Sequence, residues 1–336
     1  MYKILIIVVF AIILCGIIIV CNSMPEVAQD TQLIMKSTFP DMESELEGEF
    51  LVNPSDVIFH NSQYIVADGM DARVKIFTDM GRFVREIGRS GQGPGEMIAV
   101  FDIALNKDNN IIYTTDASSG RINSYTIDGE YISTIRGFSS FNQIEYNSGR
   151  IYAGSFSSAT KSLFKIYDIS GEFVKNFGEQ FVEKINESKY ARNLYSNKLL
   201  SYGDAIYAFY GYIPYYEMYD VDGMLEKRVL LNVDFFSDTY DQNIKNLLAG
   251  PIDGRLRIHS FHSGVVFDGK NIYYNVRPKT EKLIIYVVDL NGELVRTIPF
   301  QTKFSLPFNR LLVAKNENQF IFTDRLNAQV NVFVEK

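Results

Sequence analysis

Tryptophan is absent from this 336-residue chain, and cysteine and histidine are scarce, with two and three residues. Both cysteines, Cys15 and Cys21, lie near the N-terminus, so the rest of the chain has no thiol for a disulfide or a thiolate-bound metal. His259 and His262 are three residues apart, and in a strand they would point to opposite faces. With His60 as the one other histidine and no acid flanking the pair, the sequence argues against a histidine-based active site.

Runs of basic residues are also lacking, since 40 acidic residues outnumber 33 basic ones and the formal net charge is −7. A nucleic-acid partner needs a concentrated basic surface, so we expect none. The glycine-rich run from Gly88 to Glu96 has neither the lysine of a phosphate-binding loop nor GxGxxG spacing. Its glycines and Pro94 instead predict a turn that connects two strands.

Charge is missing from one long segment, Ile4–Cys21, whose 18 residues are almost all apolar. Its length lies between the apolar region of a signal peptide, about 7–15 residues, and a membrane-spanning helix, about 17–25. Cys21 with the following Asn22 and Ser23 is similar to the lipidated cysteine of bacterial lipoproteins, although Val20 stands where a small residue is usual. Cleavage, lipidation of Cys21 and retention as an anchor all stay open.

The same segment predicts where the protein is located. Lys3 is the one charged side chain before it, so we expect the N-terminus to stay in the cytoplasm and the rest of the chain to be exported. Residues 1–21 are then a signal peptide or membrane anchor, and residues 22–30 are a linker. The segment, or a lipid on Cys21, would hold the protein at the outer side of the cytoplasmic membrane, in the periplasm, at the outer membrane or at the cell surface.

Aromatic and β-branched residues are plentiful and recur in one pattern, which favours strands. In five places an alternating apolar run, a turn with glycine and a second alternating run form the pattern of a β-hairpin. The copies begin at Arg73, Arg121, Leu163, Tyr216 and Leu283, and their turn glycines are Gly81, Gly129, Gly171, Gly223 and Gly292. Another pair of short strands precedes each hairpin. Four strands per repeat, with turn glycines 42 to 69 residues apart, predict the blades of a β-propeller.

The last repeat, from Arg310 to Lys336, supplies three strands instead of four. The apolar run from Thr31 to Thr38 is placed to supply the fourth, which would close the ring and remove the open sheet edges. The sequence therefore predicts an all-β fold, a six-bladed β-propeller of four-stranded antiparallel blades, over residues 31–336. An N-terminal strand closes the ring.

A finer register recurs in three blades, where an Asp lies nine residues before the aromatic residue of the hairpin and an Arg or Gln follows the Asp by five. The sets are Asp68/Arg73/Phe77, Asp116/Arg121/Tyr125 and Asp324/Gln329/Phe333. With the connector Ile87–Met97, this register resembles NHL-type repeats, in particular the exported six-bladed propellers of Bacteroides-like bacteria, many of them lipoproteins. The resemblance implies a fold and a cell-envelope location, and it implies no defined chemistry.

Two segments depart from the blade pattern and have helical spacing, Phe181–Arg192 and Asp238–Gly250. We expect them to be insertions over one face of the propeller, which is often the binding face. The segment from Tyr202 to Asp220 carries seven tyrosines, whose amphipathic rings suit either a blade core or a binding surface. The candidate binding residues are Tyr207, Tyr210, Tyr212, Tyr215 and Tyr216.

Arg73 and Arg121 are further binding candidates, because an arginine fork binds carboxylates and phosphates. The recurrence of an Asp with an Arg five residues later also suits a structural link between the second and third strands of a blade. A binding role and a structural role both stay open for these two arginines.

The leading hypothesis is a non-catalytic binding or scaffolding propeller at the cell envelope, with a protein or glycan partner and no cofactor. The alternative is a metal-dependent hydrolase or lyase of the six-bladed kind, with calcium as the metal. Calcium prefers several oxygen ligands. The candidates for such a set are Asp56, Asp102, Glu145 and Asn271.

Overall fold

The computed structural model of the protein describes residues 31–41, 50–116, 118–137, 141–155, 162–183, 191–276, 283–300 and 310–336. The predicted leader and linker, residues 1–30, lie outside the described residues, and so does the predicted lipidation site Cys21. Residues 32–336 form one compact unit. Within the described ranges, none of the helices has both the length and the apolar character needed to span a membrane.

Six four-stranded antiparallel blades make up the fold, as the repeats predict, and a parallel pairing of Gly264 with Leu312 joins the innermost strands of blades 5 and 6 into one sheet. In the first five blades the strands follow one another in chain order, from the innermost strand at the channel to the outermost strand at the rim. Blade 1 consists of β2 (Pro54–His60), β3 (Gln63–Asp68), β4 (Arg73–Thr78) and β5 (Phe83–Ile87), and blade 2 consists of β8 (Ile103–Asn106), β9 (Ile111–Asp116), β10 (Arg121–Thr126) and β11 (Tyr131–Arg136). Blade 3 consists of β12 (Phe141–Asn147), β13 (Arg150–Ser155), β14 (Ser162–Asp168) and β15 (Phe173–Glu179), and blade 4 consists of β16 (Asn197–Tyr202), β17 (Ala205–Tyr210), β18 (Tyr215–Asp220) and β19 (Leu225–Leu230). Blade 5 consists of β20 (His262–Phe267), β21 (Asn271–Val276), β22 (Ile284–Asp289) and β23 (Leu294–Pro299). Two short strands, β6 (Arg89–Ser90) and β7 (Glu96–Met97), pair within the glycine-rich connector between blades 1 and 2.

Blade 6 joins the two ends of the described chain. It consists of β24 (Arg310–Asn316), β25 (Gln319–Asp324), β26 (Gln329–Glu335) and the N-terminal strand β1 (Leu33–Phe39). Strand β1 pairs antiparallel with β26. Phe39 is buried, and its ring lies 4.8 Å from that of Tyr64 and 5.1 Å from that of Phe77 in blade 1. The predicted ring closure by the N-terminal strand is confirmed.

The five predicted turn glycines all lie between the third and fourth strands of a blade, with φ from 71° to 102°. A side chain is disfavoured at such angles. Space is short as well, because a Cβ at Gly223 would lie 2.8 Å from the ring of Phe177 in blade 3. At Gly171 it would lie 2.7 Å from Ile135 in blade 2. Glycine therefore serves both the turn and the contact with the preceding blade.

The insertions lie in connectors that lead from the outermost strand of one blade to the innermost strand of the next. Helix α1 (Asp234–Ala249) precedes blade 5 and confirms the predicted helix, although it begins about one turn earlier than predicted. In the other insertion, residues 184–190 lie outside the described residues, and a 3₁₀ helix, Ala191–Tyr195, precedes blade 4. The 3₁₀ helix and helix α1 both precede the start of an innermost strand, so these two described elements lie at the same face of the propeller.

Candidate binding site in the central channel

The central channel is lined by the innermost strands and contains two cavities that meet at Lys198. One cavity, of about 640 Å³, is lined by the later residues of these strands and by the turns that follow them. The other, of about 460 Å³, is lined by the first residues of the strands and by the connectors that lead into them. We call the first the lower cavity and the second the upper cavity. The upper cavity lies on the side of the insertions.

Lys198 on β16 joins two carboxylates that belong to other blades. Its Nζ lies 2.7 Å from Oδ1 of Asp102 and 3.3 Å from Oδ2 of Asp56. The backbone N–H of Ile144 donates to Oδ2 of Asp102 at 2.8 Å. The side chains of Asp56 and Asp102 are 5% and 4% exposed, and that of Lys198 is 19% exposed. This channel triad of Asp56, Asp102 and Lys198 separates the two cavities.

Burial and neighbouring charges shift the pKa of two members of the triad, Asp102 and Lys198. Burial raises the pKa of Asp102 well above its ordinary value, an effect that Lys198 opposes and Asp56 strengthens. Burial alone would lower the pKa of Lys198, but the carboxylates of Asp102 and Asp56 outweigh it, and the pKa rises above its ordinary value. Lys198 therefore stays protonated at neutral pH.

Glu145 on β12 lies beside the triad and lines the lower cavity. The hydroxyl of Ser201 donates to Oε1 of Glu145 at 2.9 Å. Burial raises the pKa of Glu145 from 4.5 to about 7, although Ser201 and Lys198 act in the opposite direction. At neutral pH this carboxyl group is close to half protonated.

Arg325 lines the upper cavity from the turn that follows β25. Its buried Nε has no hydrogen-bond partner, and it forms no ion pair with any described residue. Burial lowers the pKa of Arg325, and the charge of Asp56 opposes this effect. Because a guanidinium stays charged in proteins, the upper cavity presents a cation whose hydrogen-bond donors are available to a ligand.

His262 and Asn197 also line the upper cavity and carry buried polar atoms without a partner. The Nδ1 atom of His262 accepts the backbone N–H of Gly264 at 3.1 Å, so the proton of the neutral ring is on the unpartnered Nε2. Burial lowers the pKa of His262 to about 4, and contacts with the backbone of Tyr210 and Gly264 offset this in part. The ring is therefore neutral at pH 7. The Oδ1 atom of Asn197 supplies an acceptor.

Helix α1 fixes the connector that brings His262 to the cavity. The buried side chain of Asn243 donates to the carbonyl of His259 at 2.8 Å and accepts its N–H at 2.7 Å. Two residues further on, the N–H of Phe261 donates to the carbonyl of Gly211 at 2.8 Å. The insertion thus builds part of the cavity wall, because it holds the chain in place immediately before β20.

The tyrosine cluster forms mainly a blade core, which corrects the prediction of a binding surface at three of its residues. Tyr210 and Tyr216 are 0% and 1% exposed, and Tyr207 is 7% exposed. The hydroxyl of Tyr210 donates to the carboxylate of Glu217, which is itself fully buried. Rings that are packed inside the blade in this way offer no surface to a partner.

The other two predicted tyrosines are partly buried. Tyr212 lines the upper cavity. Tyr215 packs against the ring of Phe181 at 5.4 Å between centroids, in a T-shaped arrangement. Of the five predicted tyrosines, Tyr212 is the one that the fold brings to the candidate site.

The two predicted arginines are engaged within their own blades. Arg121 is buried, its Nη2 lies 3.2 Å from Oδ2 of Asp116, and its Nη1 donates to the carbonyl of Gln92 at 2.9 Å. It therefore links the second and third strands, as the structural interpretation expects, and also holds the glycine-rich connector. Arg73 is partly exposed and pairs with Asp71 at 2.6 Å. Neither arginine lines a cavity of the channel, and a binding role for them stays a prediction.

The expected pair between Asp68 and Arg73 is wrong. Asp68 accepts the backbone N–H of Asn53 at 2.7 Å and pairs with Lys75 at 2.9 Å. Asp116 likewise accepts the N–H of Ile98 at 2.9 Å. The recurring Asp therefore fastens the connector that enters its own blade, because its carboxylate at the end of the second strand faces the incoming backbone.

Three of the four predicted calcium ligands, Asp56, Asp102 and Glu145, do come together in the channel, whereas Asn271 lines neither cavity. The cation between Asp56 and Asp102 is the ammonium group of Lys198. Over the described part of the chain, no three His, Cys, Asp or Glu residues are grouped so that they could hold a metal ion. This donor set does not fit calcium, which takes about 6–8 oxygen ligands.

Lys198 and Arg325 are not among the residues predicted from the sequence, although one of them carries a local signal. Arg325 directly follows the register residue Asp324, whereas Gly69 follows the corresponding Asp68. Comparison of the two blades therefore marks Arg325 as unusual, because a large cation stands where another blade has glycine. Lys198 follows Asn197 in a strand that is otherwise mostly apolar, and nothing in its spacing relates it to carboxylates of blades 1 and 2.

Comparison with known families agrees with this architecture. Residues 18–245 match the DUF5128 family, which is described as a 6-bladed beta-propeller. The chain belongs to this family. Fold class and blade number of this DUF5128 protein are thereby confirmed.

Solved structures show the same fold. This DUF5128 propeller is similar to a protein of Bacteroides fragilis that is inferred to be exported, with a TM-score of 0.59 and 14% identity over 94% of this chain and 97% of that one. It is also similar to a DUF4221 family member from Bacteroides vulgatus, with a TM-score of 0.56 and 11% identity over 91% and 98% of the two chains. The third is hydrazine synthase of Kuenenia stuttgartiensis, with a TM-score of 0.53 and 12% identity over 84% and 76%. Identities this low show the fold alone. A search of curated proteins found no match.

Proposed function

We propose that this DUF5128 propeller is a non-catalytic binding module that holds a small polar ligand in its upper cavity. The observation that carries the proposal is a cavity of about 460 Å³ lined by Arg325, His262 and Asn197, each of which has a buried polar atom without a hydrogen-bond partner among the described residues. Buried polar atoms are normally paired, so a ligand would supply the missing hydrogen bonds. The volume lies in the range of about 300–1,000 Å³ that is typical of small-molecule sites.

A cavity-filling variant tests this proposal. Val313 lines the channel at both cavities, and Val313→Phe adds a ring there without removing a polar group. Ile252→Phe is the matched control, because Ile252 is exposed in the same inter-blade connector as α1. Each full-length protein would be incubated with a cell-envelope extract, repurified in mild detergent and denatured, and the released small molecules would be identified by mass spectrometry.

We expect wild type and Ile252→Phe to release one molecule in near-stoichiometric amount, and Val313→Phe to release little or none. Thermal melting would verify that all three proteins are folded. No released molecule, or equal release from Val313→Phe, would contradict the proposal. Recovery of a chemically altered molecule would instead support a metal-dependent hydrolase or lyase.

The proposal also includes a location at the cell envelope. It further includes a relationship of the repeats to NHL-type repeats, and a protein or glycan as the partner of the propeller. It is supported by the apolar segment Ile4–Cys21 and by the fold shared with a Bacteroides protein inferred to be exported. Fractionation of cells that express the full chain, with Cys21→Ser beside wild type, tests it. Wild type is expected in the membrane fraction, and recovery from the soluble cytoplasm would contradict the location. Incorporation of labelled palmitate by wild type and not by Cys21→Ser would identify lipidation as the anchor.

A further inference from the structure

The charges around the upper cavity leave one cation without a counter-ion. Lys198 is paired with Asp102 and Asp56 at 2.7 and 3.3 Å. Arg325 interacts electrostatically with Asp56, but it forms no ion pair with any residue in the described part of the chain. Asp56 is already shared with Lys198, so no carboxylate among the described residues is left to pair with Arg325.

The form of this cation favours an oxyanion. A guanidinium presents its N–H donors as a rigid fork that matches the oxygens of a carboxylate or a phosphate. The carboxylates of Asp56 and Asp102 line the same cavity and would repel a doubly charged group more strongly than a singly charged one. This repulsion favours a singly charged carboxylate over a phosphate.

The remaining wall of the cavity is rich in neutral hydrogen-bonding groups. They are the hydroxyls of Ser55, Ser196, Ser260, Ser263 and Tyr212 and the amides of Gln143 and Asn197. The hydroxyls of Ser55 and Ser260 already donate to backbone carbonyls, so these two offer a ligand only acceptor lone pairs. His262 adds an N–H donor at Nε2, and Asn197 adds an unpartnered acceptor at Oδ1. Groups that both donate and accept suit the hydroxyl groups of a sugar, which do the same.

We infer that the ligand of the upper cavity is a small hydroxylated carboxylate of the sugar-acid class, and that Arg325 binds its carboxylate group. This inference rests on the proposed function, since it names the class of ligand for the same cavity. The hydroxyl groups of the ligand lie against the serine and amide side chains, and the channel triad forms the floor of the site.

Isothermal titration calorimetry on the full-length protein, in mild detergent and at fixed pH and salt, tests the inference with three probes. They are D-glucuronate, the neutral sugar D-glucose and inorganic phosphate. The proteins are wild type, Arg325→Gln, Arg325→Lys and the control Arg255→Gln, which alters an exposed arginine in the connector that follows α1. Thermal melting is expected to leave Arg325→Gln at least as stable as wild type, because a partly buried charge without an ion-pair partner among the described residues is removed.

We expect glucuronate to bind wild type and Arg255→Gln equally, and to bind Arg325→Gln about 10- to 100-fold more weakly, as for the loss of a hydrogen bond to a charged group. Arg325→Lys should lie between the two, because it keeps the charge and loses the fork. Glucose should bind wild type at least about 10-fold more weakly than glucuronate, for the same reason.

Three results would overturn the inference: glucose binding as tightly as glucuronate, phosphate binding more tightly than glucuronate, or an unchanged affinity in Arg325→Gln. Binding of none of the probes would overturn it as well. The proposed function is judged separately by the molecule that wild type releases and Val313→Phe does not. A released molecule without a carboxylate would refute the sugar-acid inference and leave the binding function standing.

Discussion

Replacing Lys198 with methionine would leave two carboxylates in the channel without their cation. The side chains of Asp56 and Asp102 are 5% and 4% exposed, so water can replace the ammonium group only in part. Removing one partner of a buried ion pair typically destabilises a protein by about 3–5 kcal/mol. We therefore expect Lys198→Met to lower the free energy of unfolding by that amount at pH 7.5.

The loss should depend on pH in a direction that the pKa shifts determine. Burial already raises the pKa of Asp102, and without Lys198 the opposing effect is gone, so the pKa of Asp102 rises further. A carboxyl group whose pKa is higher in the folded state than the unfolded value of about 3.9 binds its proton more tightly when folded. The variant's stability therefore falls as pH rises through this window and recovers as pH falls. At pH 5 the difference from wild type should be clearly smaller than at pH 7.5.

Urea unfolding at the two pH values measures both effects. Two further proteins sharpen the result: Lys198→Met combined with Asp102→Asn, which removes a negative charge and should regain part of the stability, and Lys227→Met at an exposed position of β19. The exposed substitution should change stability by no more than about 0.5 kcal/mol. Equal stability of Lys198→Met and wild type at pH 7.5, or a loss that is the same at both pH values, would refute this account of the triad.

Three further outcomes follow from other parts of the structure. Phe39→Ala should destabilise the protein by about 3–5 kcal/mol in urea unfolding, because it removes the ring through which the closing strand packs on blade 1. A loss of stability below about 1 kcal/mol would contradict the importance of that contact. Wild-type stability should fall as pH rises from 4.5 to about 7, by at most about 3 kcal/mol at about 1.36 kcal/mol per pH unit, since the pKa of Glu145 is raised over that range. Glu145→Gln should flatten this part of the pH profile, and an unchanged profile would contradict the assignment. Arg228→Ala should cost about 3–5 kcal/mol, because the fully buried Glu217 loses its cation, whereas Arg85→Ala in an exposed pair should cost at most about 1 kcal/mol; similar losses would contradict the difference in burial.

The fold could be predicted from the sequence because its signals are local. Each blade repeats strands with alternating apolar residues and a turn with glycine. Because the last repeat supplies only three strands, the apolar run from Thr31 to Thr38 could be predicted as the fourth strand of blade 6. The helical spacing of the insertion before blade 5 indicated a helix for the same reason. The spacing of the tyrosines was ambiguous, because the same alternation suits a packed blade and an exposed surface. The burial of Tyr210 and Tyr216 shows that these two rings belong to the core of the blade.

The candidate site depends on contacts that no local pattern contains. Asp56, Asp102 and Lys198 come from three blades and meet because the ring closes, so neither their spacing nor their neighbours in the sequence indicate the triad. The acidic residues were noticed as calcium candidates, but the cation that joins two of them lies about 100 residues or more away along the chain. Arg325 is different, since its place directly after the register residue Asp324 marks it as unusual in the sequence itself.

A crystal structure of the full-length protein with D-glucuronate would test most directly whether the upper cavity is the binding site. We expect the ligand between Arg325 and the channel triad, with both carboxylate oxygens about 2.7–2.9 Å from the guanidinium nitrogens. A ligand bound in the lower cavity or on the outer surface, or an upper cavity that stays empty at saturating glucuronate, would contradict the account.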